Sequence, residues 1–499
     1  MVTLTSYGGA DEIGGSKFLL EAGATRIFLD FGVSFRRQQM FFEFPTLQAR
    51  CREDLINTGM IPDLPGLYRG AGMQVVYAED ESRYTVSGAQ EPPRFHAVLL
   101  SHAHADHAGY LGLLHPDITI YCSPVTKWML QLLNETGSAD FCASDGGRSV
   151  RAVPEGEWID LGGIRFRRYD VDHSVPGASA FLIEAEGRKI AYTGDLRMHG
   201  NGPGRTTTQR FMDALAEERP DLLMCEGTRF PTPNGPPDSS STERHLCRSE
   251  AEVQERCAEL FRRPGLVVYD MSRFDLTRLL GVMEAARQAG RRPVLDSKKG
   301  YMLAAARACG VIENLPNIWD FAILLSRLKL ASNDRCFAAP DGVFVEAAAR
   351  RREKYERSLI ERGLDLPAAV SLLWGPHGRR QVTSDPDRHV LITSDGPLTL
   401  MQLLEHGGKI GGTYVYGKSE PFTEEMEFSF ERLKNWLDLC GMQLEYAHAS
   451  GHASRADLER FVQTVQPQVL IPVHTASDRA FEGCAAKILR LQYGRPHTF

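Results

Sequence analysis

The stretch 101-SHAHADHAGYLGLL-114 holds His102, His104, Asp106 and His107 within six positions. Three imidazoles and a carboxylate so close together are poorly explained by packing. They follow an apolar run, 95-FHAVLLS-101, that reads as a buried strand. A turn after a strand lets alternate His side chains point one way, so two of them can share one metal. The next Asp and His then face a second metal nearby. Neutral imidazole nitrogen and carboxylate oxygen suit Zn²⁺ and, less tightly, Mn²⁺.

A dinuclear site needs further ligands, and the chain offers them in order. His173 lies in 169-YDVDHSVPGASAFLIE-184 and Asp195 in 187-GRKIAYTGDLRMHG-200, each after a strand-like run. Asp30 ends the strand-like 25-TRIFLDFG-32. Strand C-terminal ends are where α/β folds usually place chemistry. Further on, Glu226 closes 220-PDLLMCEGTRF-230, and 448-HASGHASRADLERF-461 carries His448, Ser450 and His452. His474 lies in 469-VLIPVHTA-476.

Asp30, the H-x-H-x-D-H cluster, His173 and Asp195 resemble, in order, the metal motifs of the metallo-β-lactamase fold. Glu226, His452 and His474 resemble the three extra motifs of the β-CASP nucleases, the relatives that cut nucleic acids. H-x-S-G-H-x-S followed by I-P-V-H, with the opening 8-GGADEIGGSKFLLE-21, is most similar to the RNase J branch. The resemblance implies an α/β fold, a metallo-β-lactamase αββα sandwich with an inserted α/β β-CASP domain. It also implies a site. His102, His104 and His173 would hold one divalent ion and Asp106, His107 and His474 a second, with Asp195 bridging. Asp106 would thus serve as both ligand and catalytic group. Asp30 would orient a ligand His. Glu226 with His452 would protonate the leaving 3′-oxygen, and His448 and Ser450 would hold a neighbouring phosphate. The reaction implied is hydrolysis of single-stranded RNA by a hydroxide shared between two Zn²⁺ or Mn²⁺ ions.

Weaker matches sit in the insertion. Arg278, in 274-FDLTRLL-280, stands where relatives carry a substrate-binding Arg, with Asp275 in place of their Asn. The segment 392-ITSDGPL-398 resembles a glycine-rich loop that contacts the 5′ phosphate in the family, but Asp395 and Pro397 replace Gln and Glu. An Asp beside a phosphate is unfavourable, so this departure counts against 5′-monophosphate recognition.

Three domain segments are expected: 1–228 for the first part of the metallo-β-lactamase domain, 240–430 for the insertion, and 431–499 for the return. The Pro/Ser-rich 231-PTPNGPPDSSST-242 reads as a linker, and 33–95 as a loose substrate-facing insertion. Composition is that of an ordinary globular protein, with 24% charged and 42% apolar residues. There is no 18-residue apolar run and no secretory leader, and the ten scattered Cys read as reduced thiols, so a cytoplasmic protein without a membrane partner is expected. The net charge of −7 does not advertise a nucleic-acid binder, though two cations in a cleft can supply local positive potential. Assembly into homo-oligomers is left open. The competing readings are a DNA-directed β-CASP nuclease and a small-molecule metallohydrolase, a lactonase or thioesterase. The latter has no need of a Glu226/His452 pair. DNA-directed members tend to carry Val where His474 stands.

Overall fold

The computed structural model describes residues 1–43, 46–70, 74–77, 84–87, 91–136, 149–201, 206–231, 247–310, 312, 315, 320–325, 353–364, 366, 370–373, 375–404, 408–419 and 424–499. The chain divides into two compact units. The first comprises residues 1–198, 204–238 and 451–499, and the second 199–203 and 239–450.

The first unit is built on two sheets. One runs in the order Pro496–Thr498, Val2–Ser6, Phe18–Ala22, Thr25–Leu29, Ala97–Leu99, Thr119–Cys122, Val150–Ala152. The other runs Val469–Val473, Leu222–Glu226, Arg188–Tyr192, Ser179–Ala185, Ile164–Asp170, Trp158–Asp160. Strand periodicity explains how they pack. In Ser179–Ala185, Phe181, Ile183 and Ala185 join Leu4, Phe18, Leu20, Ile27 and Leu99 of the first sheet in one core. Ala180 and Leu182 face the other way, onto Phe211 and Leu215 of helix Thr207–Glu218 and Leu458, Phe461 and Val462 of helix Arg455–Val465. A strand covered on both faces must be apolar throughout, which is why AFLI reads as a continuous run. Helix Pro124–Glu135, capped by Ser123, buries Trp128, Met129, Leu132 and Leu133. The result is the expected αββα sandwich.

The second unit is a seven-stranded sheet whose paired strands are all parallel. Its order is Ser371–Leu373, Ala322–Leu324, Arg292–Asp296, His389–Thr393, Val267–Met271, Thr413–Gly417, Gln443–Tyr446. Helices such as Leu276–Gln288 and Ser297–Cys309 follow strands, as parallel topology requires. Here the boundary differs from the one expected at 430. Gln443–Tyr446 pairs with Thr413–Tyr416, so the second unit keeps the chain up to Ser450. QLEY is half-exposed at the sheet edge, and its mixed polarity hides it from a search for buried strands.

The described part of the 33–95 segment is more ordered than its sequence suggests. It holds helices Phe35–Phe41 and Arg52–Asn57 and a two-stranded ribbon of Gln74–Tyr77 with Tyr84–Ser87. Most of the expected linker, from 232 onward, lies outside the described residues.

Candidate active site

The first unit gathers the histidines and carboxylates at strand ends. His102 follows strand Ala97–Leu99, and Asp106 and His107 lie on the one-turn helix Ala105–Ala108. Asp30, Asp195, Glu226 and His474 each lie at or just beyond the C-terminal end of a strand. Asp30 and His474 adopt left-handed backbone, with φ of 58° and 51°. Such conformations cost a non-glycine residue roughly 1–3 kcal/mol and persist where surrounding contacts enforce them.

Beside a third group made of Glu226, His452 and His474, two groups of candidate ligand atoms form, each within 4.8 Å: His102, His104, His173 and Asp195, and Asp106, His107, Asp195 and His474. Asp195 belongs to both. Its Oδ2 lies 3.7 Å from His102 Nε2, 3.7 Å from His173 Nε2, 3.3 Å from His107 Nε2 and 3.6 Å from His474 Nε2. His104 turns its Nδ1 inward, 3.1 Å from His102 Nε2 and 3.2 Å from His173 Nε2. His474 Nε2 lies 3.1 Å from Asp106 Oδ2.

The donor set fits divalent cations on three counts. Asp195 Oδ1 and His107 Nε2 are buried without a hydrogen-bond partner, which is costly unless something else satisfies them. Burial, with repulsion from neighbouring imidazoles, holds His102 and His173 well below the usual histidine range, in the neutral form that ligates metal. Burial would do the same to His107, but Asp195, Asp30 and Asp106 raise it far above that range, so the carboxylates around it call for positive charge. This is a divalent-metal site.

The outer nitrogens of His107, His173 and His102 are pinned. His107 Nδ1 donates to Asp30 Oδ2 at 2.7 Å, and His173 Nδ1 to Gly451 O at 2.7 Å. Asp30 is fully buried and also accepts from Ser101 N (2.6 Å), Ser101 Oγ (2.7 Å) and Tyr192 OH (2.6 Å). Having given its proton to Asp30, the Ser101 hydroxyl accepts from His102 Nδ1 at 3.0 Å. One carboxylate thereby orients a ligand of each group. Such partners fix tautomer and ring angle.

Glu226 and His452 meet as the motifs suggested. His452 Nδ1 lies 3.1 and 3.2 Å from the two Glu226 oxygens and 3.9 Å from Asp195 Oδ2. Burial opposes charge on His452, but Glu226 and Asp195 outweigh it and raise its pKa to about 9. Glu226 also accepts from Leu196 N (2.7 Å) and Thr228 Oγ1 (2.7 Å). Since Thr228 donates to Glu226, it accepts from His474 Nδ1 at 2.8 Å.

Sequence reasoning missed Thr228 and Ser101, although each lies within two residues of a motif residue. It also left the opening glycines without a physical role. At Gly14, φ +79°, a Cβ would lie 2.8 Å from Asp106 Cβ and Oδ2, and at Gly32 one would lie 1.8 Å from Asp106 O. Ser16 N donates to Asp106 O, and Gly9 O accepts from His474 N. The loop braces two candidate ligands, and its Gly14 contact, like that of Gly32 after strand Thr25–Leu29, requires glycine.

The remaining candidates, Arg278, His448 and Ser450, lie in the second unit. Arg278 and His448 meet, with Nη1 2.8 Å from His448 Nδ1. Ser450 is half-buried at the unit's end. Arg278 is not placed to grip a phosphate as expected. It is buried, and all of its donors are engaged within the unit. Asp275 caps helix Leu276–Gln288 through Arg278 N, at 2.9 Å. Asp395 likewise caps helix Gly396–Leu403, through Leu398 N at 3.3 Å.

The chain is similar to several known proteins. Residues 70–232 match the "Beta-lactamase superfamily domain" and residues 441–489 the "Zn-dependent metallo-hydrolase RNA specificity domain". The chain is 24% identical over 402 residues to Ribonuclease J of Sinorhizobium meliloti, covering 77% of this chain and 58% of that protein. It is 21% identical over 489 residues to Ribonuclease J of Pyrococcus abyssi, covering 95% and 90%. The chain is thus similar to β-CASP metallo-β-lactamase-fold proteins of the RNase J type. To Ribonuclease J of Mycobacterium tuberculosis it is 30% identical over 207 residues, 39% of this chain and 33% of that one. The chain therefore spans little more than half the length of the Sinorhizobium relative and a third of the mycobacterial one. Among solved structures, a protein of unknown function from Enterococcus faecalis shares this chain's fold over its whole length, with TM-score 0.71 and 23% identity. No described helix is long and apolar enough to cross a membrane.

Proposed function

We propose that this β-CASP protein is a metal-dependent ribonuclease that hydrolyses phosphodiester bonds of single-stranded RNA. The observation that carries the reading is the Glu226–His452 pair beside the metal ligands, with His452 Nδ1 3.1 Å from Glu226 and 3.9 Å from Asp195. A lactone or thioester needs no such acid at its leaving group, whereas an RNA 3′-oxygen leaves poorly without a proton. The RNA-specificity model matched at 441–489 and the Ribonuclease J relatives favour RNA over DNA.

His102, His104 and His173, and Asp106, His107 and His474, joined by Asp195, would hold two Zn²⁺ or Mn²⁺ ions. Such ions supply water acidified toward neutral pH and neutralise phosphate oxygens. The chain's own groups do the rest. Asp30 and Ser101 fix the imidazoles of His107 and His102. Glu226 holds His452 by Nδ1, so the proton for the leaving oxygen departs from Nε2. Thr228 ties the His474 ring to the same carboxylate. Each such proton transfer contributes on the order of 10²–10⁴ in rate.

The test is purified protein with Zn²⁺ or Mn²⁺, given labelled RNA and DNA of one sequence, beside lactone and thioester substrates. Cleavage of single-stranded RNA well above DNA and duplex is expected. Efficient lactone or thioester opening without RNA cleavage would overturn the reading.

A further inference from the structure

Arg278 is fully spent. Its Nε donates to Glu250 Oε2 at 3.0 Å and its Nη2 to Glu250 Oε1 and to Ala449 O, the latter at 2.7 Å. Its Nη1 donates to Gly417 O at 3.3 Å and to His448 Nδ1 at 2.8 Å. A guanidinium has five N–H donors, and these five acceptors take one each. Glu250 and Arg278 are both buried, so the pair is desolvated and locked.

The consequence falls on His448. Guanidinium nitrogen only donates, so Nδ1 of His448 must present its lone pair. Gly417 O also lies 3.1 Å from that Nδ1 and would attract an Nδ1 proton if Arg278 were absent. The two neighbours thus ask for opposite tautomers, and the charged one prevails. The ring proton is then on Nε2, the edge that lies 3.4 Å from Ser419 Oγ. Burial and the Arg278 charge hold His448 down to about 3, so the ring stays neutral at ordinary pH. The other groups acting on it are Glu250 and His199, with Cys247 N donating to its carbonyl.

We propose that Arg278 is a positioning residue rather than a substrate contact: braced by Glu250, it fixes His448 as a neutral Nε2–H donor for a phosphate oxygen of the RNA chain. The phosphate half of this proposal rests on the ribonuclease reading; the tautomer half does not. A neutral donor of fixed sense selects an acceptor oxygen, and the opposite tautomer would set lone pair against lone pair.

The test uses the metal-loaded full chain with ¹⁵N-labelled histidine, with His448 assigned by its absence in His448→Gln. Side-chain ¹⁵N shifts should show Nδ1 unprotonated and Nε2 protonated. In the double variant Arg278→Met/Glu250→Met, an apolar replacement that leaves no buried charge behind, the two shifts should exchange as Nδ1–H turns to Gly417 O. Affinity for a 2′-O-methyl oligonucleotide, which cannot be cleaved, should then fall roughly tenfold or more, the loss of a hydrogen bond to a charged group. Arg278→Lys should restore both tautomer and affinity in part. Urea midpoints keep a folding defect separate from a tautomer change. Wild-type His448 protonated at Nδ1, or exchanged shifts with unchanged affinity, would overturn the proposal. Failure of the ribonuclease reading would look different, with native shifts and no RNA affinity in the wild type.

Discussion

Asp30→Asn tests the logic of the metal site most sharply, because it changes one atom and every partner is known. Asp30 accepts four hydrogen bonds: Ser101 N on Oδ1, and Ser101 Oγ, Tyr192 OH and His107 Nδ1 on Oδ2. The amide of Asn can sit two ways. With its NH₂ in the Oδ1 position it faces the Ser101 amide, donor against donor. The buried Ser101 N–H then costs about 1–3 kcal/mol, and three bonds that lose charge assistance cost about 1 kcal/mol each. The total, about 4–6 kcal/mol, is comparable to the whole stability of a small domain. With its NH₂ in the Oδ2 position the hydroxyls can turn and accept, but His107 can accept only by moving its proton to Nε2. That atom is the one facing Asp195, and a protonated nitrogen cannot ligate. Either way the Asp106/His107/His474 group should lose metal affinity, by roughly 10–100-fold. The His102/His104/His173 group, reached through Ser101, should lose less. Metal competition titrations measure both steps, and urea unfolding of chelator-stripped protein measures the stability loss. An Asn variant with native stability and two native affinities would refute the account of Asp30.

Three further outcomes are expected. His452→Ala should keep its metal content and lose RNA cleavage strongly, but act nearly normally on a nitrophenyl phosphodiester, whose leaving group needs no proton; parallel losses on both substrates would remove His452 from the acid role. RNAs ending in 5′-monophosphate, 5′-triphosphate and 5′-hydroxyl should be cut at similar rates, because Asp395 sets a negative charge and a spent cap where the family's 5′-phosphate loop lies; a strong monophosphate preference in competition assays would contradict this. His448 ties stability to acid. Its pKa falls to about 3 on folding, so between the ordinary histidine pKa near 6.5 and pH 3 the unfolded chain binds the extra proton. Stability should therefore drop by up to about 1.4 kcal/mol per pH unit across that window, and His448→Gln should flatten the difference in paired urea titrations.

Most of the candidate metal ligands were legible because they stand at or just after the end of a strand whose apolar run is local in sequence. Spacing inside 102–107 carries the rest. Ser101 and Thr228 touch motif residues, yet Ser and Thr beside a strand end are ordinary turn residues, so nothing in their type marks them. Arg278 shows the opposite failure. Its family position suggested a phosphate contact, but its fate is set by Glu250, 28 residues away, and by Gly417, His448 and Ala449, more than 130 residues away. Whether a buried arginine is spent depends on acceptors that only the folded sheet assembles. The domain return was misplaced for a related reason. A half-exposed edge strand such as Gln443–Tyr446 lacks the apolar signature that identified its inner neighbours.

Charge bookkeeping gives these placements a common sense. The chain is net negative, and its site gathers Asp30, Asp106, Asp195 and Glu226 against two imidazoles held toward the charged form, His107 and His452, a poor place for a phosphate unless further cations offset the carboxylates. The Arg278 charge, cancelled by Glu250, offers no long-range pull. On the proposed reading, the divalent ions supply attraction for a polyanion, and neutral donors of fixed sense such as His448 Nε2–H supply contacts from the second unit's own residues. Neutral donors release no condensed counterions, so only the cationic contacts contribute to salt dependence. On the proposed reading, metal and RNA binding are therefore thermodynamically coupled. Stripping the ions does more than remove the chemistry: it turns the site into one that repels its substrate.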